Sequence, residues 1–121
     1  MSYSGYLISL KSRVEILQLW KPKFSTIYAH HCTYEFPSKE LPPEVDKAAV
    51  LGYSSIKGIE ALVLIINGST TRPDGNRYHV TLSLNGYDGY KPKDSNKLLE
   101  EHRYTALTVP IPIELEPKVF D

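Results

Sequence analysis

The chain has 121 residues, 14 acidic and 14 basic, of which 41% are hydrophobic and 11% aromatic. That length and balance suit one globular domain, spanning 1–121, with its own core, and they exclude a collagen-like or disordered chain. A formal charge of zero excludes the basic footprint of a polymer binder, so long nucleic acid is not expected and a small anionic ligand held by a few local groups is. The single cysteine, Cys32, allows no internal disulfide. No leader pattern opens the chain and no apolar run is long enough to span a bilayer, so a cytoplasmic protein with no membrane partner is expected.

In chain order, residues 6–10 read as a first strand. Ser12 then caps a short helix whose apolar side is Val14, Ile16, Leu17 and Trp20, and Pro22 stops it. Residues 26–36, rich in β-branched and aromatic side chains, read as one strand closed by Pro37, and the prolines of 37–43 mark a loop. Residues 48–55 and 59–66 read as two strands meeting in a hairpin at Lys57-Gly58. Turn residues fill 67–76. Residues 78–84 alternate apolar and polar, the period of a half-buried strand whose polar face is His79, Thr81 and Ser83. After a turn at 85–89, Ser95 or Asn96 caps a short helix running to His102. Residues 106–115 alternate again, but Pro110 and Pro112 confine them to a sheet edge. About six strands and two short helices, joined by tight turns, predict an α+β fold built on a mainly antiparallel sheet.

Two triplets carry chemistry: His31-Cys32-Thr33 and His79-Val80-Thr81. Successive side chains on a strand alternate faces, so His31 and Thr33 share one face, as do His79 and Thr81. Cys32, Tyr34 and Phe36 then face the core, as do Tyr78, Val80, Leu82 and Leu84. The same parity puts His30 on the face opposite His31 and makes it structural or peripheral. If the two strands are neighbours in one sheet, two imidazoles and two hydroxyls meet. Phosphodiester cleavage needs a group that takes a proton from the attacking oxygen, one that gives a proton to the leaving oxygen, and donors for the phosphoryl oxygens. Two histidines that titrate near neutrality divide the first two tasks and two threonine hydroxyls perform the third, with no metal or other cofactor. His30, His31 and Cys32 are contiguous and lack the ligand spacing of a zinc site. Phosphate-loop and serine-elbow motifs are absent from the sequence.

The runs His31-Cys32-Thr33-Tyr34-Glu35-Phe36 and Tyr78-His79-Val80-Thr81-Leu82-Ser83 resemble the two motifs of the two-histidine (2H) phosphoesterase superfamily. That group includes cyclic phosphodiesterases, RNA end-healing enzymes and viral proteins that destroy nucleotide signals. Residues 58–63, Arg72-Pro73-Asp74-Gly75 and 89–96 are similar to its compact branch, so the resemblance covers roughly 26–96. The two motifs stand closer together here than in the larger bilobal members. The resemblance implies the two His-x-Thr strands adjacent across a central cleft, with His31, Thr33, His79 and Thr81 catalytic. It also implies metal-independent cleavage of a phosphodiester in a small nucleotide, most directly a cyclic nucleotide or oligonucleotide signal, as in viral counter-defence. Processing of 2′,3′-cyclic-phosphate RNA ends is the alternative chemistry. A non-catalytic module that binds or sequesters a nucleotide is the alternative from a different class.

Around the triplets, Lys91 and Lys93 flank Pro92, and Ser95 and Asn96 follow at a helix start, a pattern that suits an anion- or ribose-binding loop. Arg72 can clamp a phosphate and Tyr90 can stack on a base, whereas strand parity assigns Tyr34 and Tyr78 to the core. The expected substrate-binding set is therefore Arg72, Tyr90, Lys91, Ser95 and Asn96. Against it stand the ordinary alternatives, a solvated turn arginine and a helix cap. Glu35 shares the face of His31 and either orients it or is a solvated strand end.

Overall fold

The structure, a computed structural model, describes residues 1–101 and 103–121. Its elements in chain order are β1 (Tyr3–Ile8), α1 (Leu10–Leu19), β2 (Thr26–Ile27), β3 (His31–Glu35), β4 (Ala48–Ile56), β5 (Ile59–Ile66), β6 (His79–Leu84), a 3-10 turn at Gly86–Asp88, α2 (Asp94–Glu101), β7 (Thr105–Pro112) and β8 (Leu115–Phe120). The eight strands form two antiparallel sheets, one in the order β3-β1-β8 and the other β2-β6-β5-β4-β7, which makes the fold α+β. Among the described residues no helix is long and apolar enough to cross a membrane.

The strand count exceeds the expected six for two local reasons. Residues 26–36 are not one strand. The backbone N–H groups of Tyr28 and Ala29 donate to the carbonyls of Leu82 and Thr81, both at 2.9 Å, so this stretch follows β6 as far as Ala29. Ala29 has φ 49°, the left-handed region that turns the chain aside. Beyond it the His30 carbonyl accepts from Ile8 N–H at 3.0 Å and β3 pairs with β1 instead. The second reason is β8, whose Glu116, Pro117 and Lys118 hide a strand that pairs with β1 along its length. It lies at a sheet edge, where the missing N–H of proline is tolerated.

The remaining differences are at element ends. Ser9, not Ser12, caps α1: its Oγ accepts Ser12 N–H at 3.1 Å, which also ends the first strand at Ile8 rather than residue 10. Ser12 lies inside the helix, buried, and its Oγ accepts Glu114 N–H at 2.7 Å. Ile16 is buried and Leu17 and Trp20 pack on the core, but Val14 is exposed. Helix α2 begins at Asp94, so Ser95 and Asn96 sit in its first turn, while His102 lies outside the described residues. The hairpin at Lys57-Gly58 joins Ile56 to Ile59, with Gly58 at φ 101°. Strand β7 lies at the edge beside β4, as its prolines predict.

The main core gathers Tyr6, Ile8, Ile16, Cys32, Leu62, Leu64, Val80 and Leu82, drawn from both sheets and α1. A second cluster of Ile59, Ala61, Leu84 and Leu98 lies between the larger sheet and α2. Strands β5 and β6 are covered on both faces, so β6 is buried throughout rather than half-buried. A polar side chain placed on β6 is therefore enclosed, not solvated, and must find partners there.

Candidate active site

The two His-x-Thr strands are not neighbours in one sheet. They contact each other where the sheets meet, without a shared ladder. The reason lies in β2, which pairs Thr26 with Leu84 and Ile27 with Ser83. Continued along the chain, that register would set His31 opposite His79. The turn at Ala29 intervenes, and the chain parts from β6 just before His31. His31, Thr33, His79 and Thr81 all line one cavity of about 430 Å³. Cys32 and Val80, between them in sequence, are fully buried in the core as parity predicts. Burial pushes the Cys32 thiol up to about 12, against the opposing pull of the His79 backbone and Arg72, which makes it an inert core group.

His79 is 8% exposed, and its Nδ1 donates to the Arg77 carbonyl at 3.0 Å. A carbonyl only accepts, so Nδ1 carries the hydrogen and Nε2 is bare in the neutral ring. Burial lowers its pKa and the nearby Arg72 charge lowers it further, while the Arg77 carbonyl and Asp74 work the other way. His31 is half-buried, with Nε2 at 3.2 Å from the Tyr3 hydroxyl. Its pKa falls to about 4, through burial first and then the neighbouring His30 and His79. Tyr3 and Phe120 pack against the His31 ring at centroid distances of 5.5 and 5.1 Å.

The two threonines differ. Thr33 is half-buried on the cavity wall, whereas Thr81 is enclosed: its Oγ1 donates to the Pro92 carbonyl at 3.2 Å and lies 2.8 Å from Ser95 Oγ. Helix α2 thereby fixes the second triplet. Ser83, expected beside His79 and Thr81, is on the other face. Thr81 and Ser83 pair with Ala61 and Glu60, which are adjacent on β5, so an irregularity there breaks the alternation. The Ser83 hydroxyl donates to the buried Glu60 carboxylate instead.

Arg72, a residue that turn chemistry alone would place in solvent, is 7% exposed and lines the cavity. Its Nε and Nη2 hold the Asp74 carboxylate at 2.9 and 2.8 Å, leaving guanidinium donors over for a ligand. That pair holds the Asp74 carboxyl below its ordinary value. Asn96 also lines the cavity, with a buried Oδ1 that has no partner among the described residues.

The structure does not bring Tyr90, Lys91 or Ser95 to the cavity. Tyr90 packs beside Gly58, where a Cβ would stand 2.1 Å from its ring, and belongs to the second cluster. Lys91 is exposed and gives its backbone N–H to Asp94 at 2.8 Å. Ser95 is fully buried and supports Thr81 from behind. Glu35 is exposed at the strand end.

Sequence reasoning missed Tyr3, Tyr28 and Phe36, and set aside His30; all four line the cavity, as do Pro92 and Lys93. Parity fails for His30 and Phe36 because β3 is only His31–Glu35 and neither belongs to it. Tyr3 reaches the cavity through the pairing of β1 with β3, which no local pattern announces. Among the described residues none that lines the cavity is acidic, while Arg72 and Lys93 are cationic. No protein-family model, no curated protein and no solved structure matches this chain.

Proposed function

We propose that the chain is a metal-independent phosphodiesterase of the 2H kind, acting on a small nucleotide with His31 and His79 as its acid–base pair across a central cleft. The observation that carries this reading is the meeting of both His-x-Thr triplets in one cavity that, among the described residues, is lined by two cations and no carboxylate. One imidazole takes the proton from the attacking oxygen, either water or a ribose 2′-hydroxyl, and the other protonates the departing oxygen. Thr33, Thr81 and the spare donors of Arg72 hold the non-bridging oxygens. Thr81 must first release its hydrogen from Pro92, so Thr33 and Arg72 are the readier phosphate donors.

The size of the cavity, about 430 Å³, falls within the ~300–1,000 Å³ usual for small-ligand pockets and favours a nucleotide over a polymer. Tyr28 and Phe36 line the cavity as aromatic side chains on which a base can stack, an interaction of about 1–3 kcal/mol per base. A cyclic nucleotide or cyclic oligonucleotide is the substrate class proposed. The test is turnover of a panel of cyclic mono-, di- and trinucleotides and a 2′,3′-cyclic-ended RNA, with chelator present throughout. Cleavage of a cyclic nucleotide supports the proposal. Cleavage confined to the RNA end replaces the substrate class, and binding without turnover of any member replaces the enzyme with a sequestering module.

A further inference from the structure

His31 has a partner at each ring nitrogen. Nε2 lies 3.2 Å from the Tyr3 hydroxyl on the cavity wall, and Nδ1 lies 3.0 Å from Nδ1 of His30. The two rings are nearly perpendicular, at 81°, with centroids 5.2 Å apart. Two imidazole nitrogens at that distance share one hydrogen, because two bare lone pairs repel and two N–H groups clash. Sequence neighbours can meet this way because His30 precedes β3, and the turn at Ala29 frees it from strand alternation.

The surroundings decide which ring donates. His30 is exposed, and a neutral histidine in water carries its hydrogen preferentially on Nε2, which leaves Nδ1 as an acceptor. His30 then takes the hydrogen of His31 Nδ1, and His31 Nε2 is bare, placed to accept from Tyr3. Burial raises the Tyr3 pKa, so its hydroxyl keeps the hydrogen it donates. We propose that His30 is a positioning residue for His31: it accepts the Nδ1 hydrogen, fixes the ring's tautomer and orientation, and so turns a bare Nε2 toward the cavity, where the Tyr3 hydroxyl holds the place of a substrate hydroxyl. This rests on the reading of the cavity as an active site.

His79 reaches the same tautomer by another route, through the Arg77 carbonyl. The two imidazoles thus share one protonation pattern, one locked by backbone and the other by a side chain. In the base step the O–H bond of the attacking group breaks, its electron pair stays on oxygen, and the proton joins His31 Nε2. The resulting imidazolium keeps its Nδ1–H on His30, so the ring holds its orientation through the step. His30 stands to His31 as the third member of a catalytic triad stands to its base.

Long-range ¹H–¹⁵N spectra of the histidine-labelled full chain read the tautomer without any substrate. The expected wild-type result is a bare Nε2 on His31, moving toward Nε2–H in His30→Ala. His30→Asn, whose side-chain carbonyl can accept, should restore the wild-type pattern. A His31 that is Nε2–H in wild type, or that stays bare at Nε2 in His30→Ala, overturns the proposal. On a substrate that is turned over, His30→Ala should lower kcat on the order of tenfold or more with little change in KM, and His30→Asn should recover most of it. The expected spectra without turnover of any substrate would overturn the phosphodiesterase reading alone. Turnover with an unmoved tautomer would overturn the role of His30 alone.

Discussion

His31 and His79 are both drawn out of water, and their titration moves with them. An ordinary histidine titrates near 6.5, His31 at about 4, and His79 below its usual value. Both rings are therefore neutral at pH 7 in the free protein, whereas acid–base catalysis needs one of them charged. kcat/KM should rise as pH falls below 7 and reach its maximum below 6.5; a maximum at or above pH 7.5 would contradict this. The same shifts bear on stability. As pH falls below 6.5 the unfolded chain binds more protons than the native state, so the contribution of these rings is complete above pH 6.5 and is lost as pH falls, for His31 on the way to about 4. Urea midpoints should drop between pH 7.5 and pH 5, and the drop should shrink in the His31→Gln, His79→Gln double variant.

Glu60 is a second case of a polar group with everything at stake in its partners. It is 1% exposed and accepts from Lys23 N–H at 2.8 Å, Tyr53 Oη at 2.6 Å and the Ser83 hydroxyl. Glu60→Ala leaves three donors, one ahead of β2, one on β4 and one on β6, without their acceptor and should cost about 3 kcal/mol or more. A loss below about 1 kcal/mol in urea unfolding would show that water replaces the carboxylate.

At the scale of elements, the site depends on how closely β1 lies against β3. A Cβ on Gly5 would stand 2.5 Å from the Cys32 carbonyl oxygen, a backbone atom that cannot swing aside. Gly5→Ala should therefore push β3, with His31 and Thr33, away from β6. The expected cost is about 1–3 kcal/mol of stability, with a fall in kcat/KM larger than the stability loss alone explains. Unchanged stability and turnover would mean that β3 has room to spare. Local pattern was enough to find β4, β5, their hairpin and the alternation through the first half of β6. It was not enough to divide residues 26–36, because the break falls at Ala29, a residue with no turn signature, under the demands of two sheets competing for one chain. β8 was hidden for the opposite reason: Glu116, Pro117 and Lys118 argue against a strand, and only the long-range partner β1 makes one of them.

For the whole molecule, the triplets were legible because period-two alternation is local, whereas the cavity that joins them is a product of topology. His31 and His79 come from different sheets, Arg72 from the loop between β5 and β6, and Asn96 from α2. Spacing along the chain gave no measure of those distances, which is why Tyr90, Lys91 and Ser95 were expected beside the phosphate and Tyr3, Tyr28 and His30 were not. The proposed phosphodiesterase requires His31 and His79 to work on one phosphate as a unit. Residues that act as a unit lose activity non-additively. The direct measurement is kcat/KM on the best cyclic nucleotide for wild type, His31→Ala, His79→Ala and the double variant, each checked for folding. Each single substitution should lower kcat/KM by about 10²–10⁴-fold, with the double variant little worse than either. A folded single variant that keeps wild-type turnover would contradict it.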